Sequence, residues 1–155
     1  MKRLYLMRHG HSPTTVEAGV AKDALRPLSD QGREDVRRMA AELLRRGGAP
    51  SLILHSPLLR AAQTAAEAAS ILKPASGAVR FEALDNTRPA EEVERELAAR
   101  GASADEVLAI GHQPQIGEIA ALVGKTLFEM RPAAIVAIDL FPEPRVLWSL
   151  SPERP

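Results

Sequence analysis

A chain of 155 residues with twenty basic and twenty acidic side chains, no cysteine, three Phe, one Tyr and one Trp is long enough to bury one ordinary core. Its cancelled charge excludes a global field that gathers nucleic acid or an acidic membrane, and its few aromatic rings exclude a stacking platform for single strands. Disulfides and thiolate metal sites are ruled out, no apolar run approaches the ~20 residues of a membrane helix, and the run before Arg8 is too short for a signal peptide, so a soluble cytoplasmic protein is expected.

Residues 2–7 read as a buried first strand, and Arg8-His9-Gly10 stands at its carboxyl end. A polar stretch, 11–28, follows, broken by Pro13, Gly19 and Pro27. Ser29 has the character of an N-cap for an amphipathic helix over 30–46, with a stripe of Val36, Met39, Ala40, Leu43 and Leu44 and a stop at Gly47-Gly48. Residues 52–54 form a short apolar run suited to a buried parallel strand. An alanine-rich helix over 58–72 opens just after Pro57. A strand over 79–84, a helix over 90–99, a strand over 106–110 and a helix over 114–123 come next. Residues 134–140 and 145–150 pair as a final hairpin, and 151–155 form a tail expected to fray. The alternation predicts an α/β three-layer sandwich. It is a mainly parallel sheet with helices on both faces and a C-terminal antiparallel hairpin, built as a single domain over 1–155.

Three strand ends share one feature: a basic or imidazole residue at or just inside the following segment. They are Arg8-His9, then Arg60 in the first turn after Ser56-Pro57-Leu58-Leu59, then His112 in Gly111-His112-Gln113-Pro114. In open α/β sheets ligands bind outside the carboxyl ends of the strands. If these three strands are neighbours, Arg8, His9, Arg60 and His112 converge. Two guanidiniums with helix N-termini suit a phosphoryl group better than a neutral ligand. Taken singly, Arg60 has a plainer reading as a solvated helix arginine and His112 as a capping or core histidine, while His9 alone fits a structural or a functional part equally. A first-turn arginine opposes the helix dipole, which favours a functional role. His11 and His55 read as locally bonded histidines.

With these strings in order, the chain resembles the histidine phosphatase (phosphoglycerate-mutase-like) superfamily, and within it the short SixA-type phosphohistidine phosphatases. The resemblance rests on Leu6-Met7-Arg8-His9-Gly10, Arg26-Pro27-Leu28-Ser29 with Gly32, and Ser56-Pro57-Leu58-Leu59-Arg60-Ala61 with Gln63-Thr64. It continues through Val107-Leu108 and Gly111-His112-Gln113-Pro114 to Trp148-Ser149-Leu150-Ser151-Pro152. It implies that His9 is a nucleophile that becomes transiently phosphorylated, that Arg8, Arg60 and His112 complete a phosphate pocket, and that neither metal nor other cofactor takes part. The chemistry is compatible. A nucleophilic imidazole must be neutral, which a cationic cluster favours, and must be held in one tautomer by its other nitrogen.

One position departs from the pattern. Many members carry a glutamate in the segment before the third helix, where it protonates the leaving group; here Leu84-Asp85-Asn86-Thr87-Arg88-Pro89 puts Asn86 in that place. Asp85, one residue out of register, is the remaining candidate for a general acid, while Glu91 and Glu92 read as an ordinary acidic first turn. SixA-type proteins also lack the glutamate, and an easily departing group such as a protonated imidazole makes the acid dispensable. The expected substrate is therefore a phosphorylated protein such as a phosphotransfer domain. A small phosphorylated metabolite is the alternative, and a phosphate-binding module without turnover a further one. No nucleic acid, no membrane and a monomer are expected, with an open, shallow pocket over which 11–28 could fold as a lid.

Overall fold

The computed structural model describes residues 1–152 of the chain. Its sheet has six strands: β1 (Arg3–Arg8), β2 (Leu52–His55), β3 (Ala78–Arg80), β4 (Glu106–Gly111), β5 (Ile135–Asp139) and β6 (Arg145–Leu150), in spatial order β3-β2-β4-β1-β5-β6. The first four named in that order run parallel, and β5 and β6 add as an antiparallel pair beside β1. Five helices complete the fold: α1 (Thr15–Ala18), α2 (Asp30–Arg45), α3 (Leu59–Leu72), α4 (Ala90–Arg100) and α5 (Gln115–Gly124).

Side chains alternate across each strand, and the alternation sorts them into two apolar layers. Leu4 and Leu6 of β1, with Leu52, Leu54, Val107 and Ala109, face Val93 and Leu97 of α4 and Ile116 and Ile119 of α5. Tyr5 and Met7, with Ile53, Leu108 and Ile110, face Val36, Met39 and Leu43 of α2 and Ala61, Ala65 and Ala68 of α3. The alanines of α3 leave room for a close helix-on-sheet approach. Each fully buried Leu or Ile contributes about 1.5–3 kcal/mol of transfer free energy. Among the described residues no helix is long and apolar enough to cross a membrane.

Register is what brings the strand ends together. Arg3 pairs with Glu106 and Arg8 with Gly111, while Leu52 pairs with Val107 and His55 with Ile110. The carboxyl ends of β1, β4 and β2 therefore lie level and side by side. Past them the backbone still holds: His9 N–H donates to Gly111 O at 3.0 Å and Ser56 N–H to Ile110 O at 3.1 Å.

Several expected elements are redrawn. The strand expected over 79–84 pairs only at Ala78–Arg80. Phe81 N–H makes a last bond to His55 O, where β2 ends, and Glu82–Leu84 then coil into a 3₁₀ turn that buries Ala83 and Leu84. Leu44 leaves the α2 stripe at 42% exposure, and Asp35 is buried on that helix instead, accepting from Gln31 and Arg38. The stretch 11–28 is partly helical, holding α1 and a 3₁₀ turn at Asp23–Leu25. Of the tail expected to fray, 153–155 lie outside the described residues.

The helix α2 starts as expected, with Ser29 Oγ accepting from Gly32 N–H at 3.0 Å. Its first turn lies against the backbone that follows β1. A Cβ on Gly32 stands 2.3 Å from His11 O, and one on Gly10 stands 2.9 Å from Gly32 O. Neither obstacle is a flexible side-chain end, so Gly32→Ala should destabilise the fold by about 1–3 kcal/mol through overpacking. Urea denaturation measures this directly; an unchanged midpoint for Gly32→Ala contradicts so close an approach.

Candidate active site

The four residues singled out by the sequence meet at one edge of the sheet. His9 and His112 leave β1 and β4 side by side, with ring centroids 5.0 Å apart and planes at 55°, and both are buried. Arg60, in the first turn of α3, is also buried at 8% exposure, and Arg8 is half-buried. The arginine side chains are each held from one end. Arg8 Nη1 donates to Met130 O at 3.0 Å; Arg60 donates from Nη1 to Asp23 O at 2.9 Å and from Nη2 to Asp23 Oδ2 at 3.1 Å. Among the described residues, three buried side-chain nitrogens have no hydrogen-bonding partner in the protein: Arg8 Nε, Arg60 Nε and His112 Nδ1. Such groups carry a desolvation cost unless something completes them.

Tautomers follow from the bonds. His9 Nδ1 lies 2.7 Å from Gly10 O, and a carbonyl can only accept, so Nδ1 carries the proton and Nε2 keeps its lone pair. His112 Nε2 lies 2.7 Å from Ser56 Oγ, which already accepts from Leu58 N–H at 3.2 Å. Among the described residues the Ser56 hydroxyl has no other acceptor in reach, so its proton goes to Nε2, and His112 Nδ1 is then the N–H donor of the neutral ring. Ser56 is fully buried just past the end of β2. A further chain ties the His9 loop to α3: Gly10 N–H donates to Thr64 Oγ1 at 3.1 Å, and Thr64 Oγ1 donates to Arg60 O at 2.7 Å.

Asn86, in the place of the glutamate, and Asp85, the candidate acid, both make local hydrogen bonds. Asn86 sits at φ +73°; its Nδ2 donates to Gln113 O and its Oδ1 accepts from Gln115 N–H, so it bridges two loops rather than offering a proton. Asp85 Oδ1 accepts from Thr87 N–H at 3.1 Å and Thr87 Oγ1 at 2.6 Å, an Asx-type turn. The stretch 11–28 does reach the site, through Asp23.

Residues 4–88 match the family described as the histidine phosphatase superfamily (branch 1). The chain belongs to that superfamily. It is 31% identical over 158 residues to the phosphohistidine phosphatase SixA of Escherichia coli strain K12, covering 97% of this chain and 94% of the relative. The solved structure of the protein histidine phosphatase SixA complexed with tungstate superposes with a TM-score of 0.85 at 29% identity, covering 97% of each chain. A phosphoserine phosphatase mutant from Entamoeba histolytica, solved with phosphoserine, shares the fold alone, with a TM-score of 0.71 at 13% identity over 96% of each chain. The protein is thus a hydrolase, a phosphatase that works through histidine, with the mixed α/β sheet of that superfamily.

Sequence reasoning missed Ser56 and Thr64 as individual actors, although both lie inside quoted strings, and missed Asp23 entirely. Nothing in a lone Asp within a polar loop signals a contact with Arg60, 37 positions away.

The electrostatics of this histidine phosphatase site favour neutral imidazoles. Burial pushes His9 down to about 3, aided by the charges of His112, Arg60 and Arg8 and opposed by the bond to Gly10. Burial pushes His112 down to about 4, with Arg60 and Arg8 in the same sense and Asp23 and Asp85 against. Arg8 is lowered by burial and by the Arg60 charge but stays cationic. Unfolded histidines protonate near the ordinary 6.5, so the unfolded chain binds more protons than the native one below that pH. These two groups therefore make stability fall as the pH drops from about 6.5 towards 4 and 3. In an NMR titration both rings should stay neutral through about pH 5.5; a midpoint near the ordinary value for either ring contradicts this environment.

Proposed function

We propose that this phosphatase removes the phosphoryl group from protein phosphohistidine, with His9 Nε2 as the nucleophile. The observation that carries the reading is a set of three buried, unpartnered nitrogens, Arg8 Nε, Arg60 Nε and His112 Nδ1, on the residues that neighbour His9, whose Nε2 keeps its lone pair. A tetrahedral phosphoryl group offers acceptor oxygens on several sides and completes such donors.

In the first step the lone pair of His9 Nε2 forms a bond to phosphorus as the bond from phosphorus to the substrate nitrogen breaks. That electron pair returns to the leaving imidazole, which departs neutral when its ring entered protonated. The Nδ1–H bond to Gly10 O keeps His9 oriented and spreads the positive charge that develops on its ring. In the second step water attacks the phosphorus, the Nε2–P bond breaks, the electron pair returns to His9, and hydrogen phosphate leaves with the surplus proton passing to solvent. Arg8, Arg60 and His112 supply charge and hydrogen bonds to the equatorial oxygens in both steps, and positioning with charge stabilisation accounts for most catalysis of this kind.

The substrate class follows from the leaving group. Asn86 is an amide, with no acidic proton to give an alkoxide leaving group, and Asp85 commits its Oδ1 to Thr87. A phosphoimidazole needs no such acid. The SixA relative's activity on phosphohistidine, carried by its name, and the tungstate oxyanion in the similar structure support the same choice, and a phosphotransfer protein is the partner we assign.

His9→Ala should lower turnover by about 10³-fold or more, as loss of a nucleophile does, and abolish the acid-labile, base-stable phosphoenzyme formed when substrate is mixed and quenched. Turnover retained by that variant rules out the mechanism. Comparing a phosphohistidine protein with a panel of phosphorylated metabolites tests the substrate; preference for a metabolite by orders of magnitude removes the phosphohistidine assignment and leaves the superfamily untouched.

A further inference from the structure

Arg60 is badly placed on electrostatic grounds. It stands in the first turn of a helix, where the dipole disfavours a cation, and close enough to Arg8 for each charge to oppose the other. Left alone, a long guanidinium in that position has reason to swing outward. Asp23 prevents it. Its backbone carbonyl takes Nη1 and its carboxylate takes Nη2, so both contacts use the far end of the guanidinium fork. A guanidinium carries five N–H donors; with these two engaged, the side-on edge formed by Nε and the second Nη2 hydrogen remains. Nε on that edge is the buried atom with no protein partner.

From this arrangement we infer that Asp23 is a positioning residue for the phosphatase reaction, turning the side-on edge of Arg60 toward the phosphoryl group. The inference rests on the reading of Arg60 as a phosphate-holding residue. Asp23 is itself fixed. It opens the 3₁₀ turn Asp23–Leu25, and its Oδ1 accepts from Arg26 Nη1 at 3.0 Å. Arg26 in turn donates from Nε to Pro13 O at 2.7 Å and from Nη2 to Ser12 O at 3.2 Å. The Arg26 and Arg60 bonds hold the Asp23 carboxyl below its ordinary range, so it stays an anion at working pH. The polar stretch after His9 is thereby stapled to the pocket by one carboxylate.

A negative neighbour also weakens the hold of Arg60 on free phosphate. Removing it therefore has a signature that a merely structural loop contact lacks: turnover falls while phosphate binding does not weaken. The test measures kcat on a phosphohistidine protein and inhibition by inorganic phosphate for Asp23→Ala, Asp23→Asn and Arg60→Ala. The Asp23 side chain is 60% exposed, so its variants should fold, and thermal melting checks this. Asp23→Ala should lose about tenfold or more in kcat with phosphate inhibition equal or tighter, and Asp23→Asn, which keeps an acceptor oxygen, should recover to within about threefold of the parent. Three results overturn the inference: turnover of Asp23→Ala within about twofold of the parent, phosphate binding by Asp23→Ala that weakens in step with kcat, or Asp23→Asn as impaired as Asp23→Ala. Arg60→Ala separates the two layers. If it leaves both readouts unchanged, the phosphate-pocket reading itself fails; if it damages both while the Asp23 variants do not, only the positioning role is lost.

Discussion

Everything at the candidate site depends on the unslipped ladder between β1 and β4. Pairing runs without a break from Arg3–Glu106 to Arg8–Gly111, and the next backbone bond, His9 N–H to Gly111 O, carries that alignment into the loops. A slip of one residue would send every side chain of β1 to the opposite face. Leu4 and Leu6 would trade layers with Tyr5 and Met7, and the two imidazoles would no longer leave adjacent strands at the same height. Hydrophobic sorting between two helix layers thus fixes a distance between histidines in which no hydrophobic residue takes part.

The site also resolves a conflict between burial and charge. Two guanidiniums sit close together in a partly dry setting, next to two buried imidazoles. Charging all four is prohibitive, and the chain settles the matter by ionising the arginines and discharging the histidines. Both rings are then neutral, and the lone pair on His9 Nε2 is left without a proton. Hydroxyls rather than carboxylates fix the details: Ser56 sets a proton on His112 and Thr64 anchors the His9 loop. The carboxylate that does touch an arginine of the pocket, Asp23, reaches it from the rim.

Much of this was legible in the sequence because the relevant signals are local. A strand end followed by Arg8-His9-Gly10, a helix opened after Pro57 with Arg60 in its first turn, and Gly111-His112 after an apolar run each report themselves. Their convergence needed only strand adjacency, which the β-α alternation favours. What escaped depends on long-range partners. Val79 to Leu84 has strand-like composition, yet β2 stops at His55 and gives the later residues nothing to pair with, so they turn inward. Leu44 fits a stripe by residue type, but it lies at the edge of a stripe that Val36, Met39, Ala40 and Leu43 already fill. Asp23 has no local pattern at all; its meaning lies in a guanidinium from another element.

The chain of bonds from Gly10 N–H through Thr64 Oγ1 to Arg60 O has a consequence for how this molecule fails. The loop that carries His9, the opening turn of α3 and the arginine on that turn share one buried hydroxyl, and α3 is packed through its alanines onto the sheet. The candidate site is thus continuous with the parts that hold the fold together. Breaking the two bonds of Thr64 therefore disturbs the loop after β1 and the opening turn of α3 together, so this side of the site loosens only along with a packed helix.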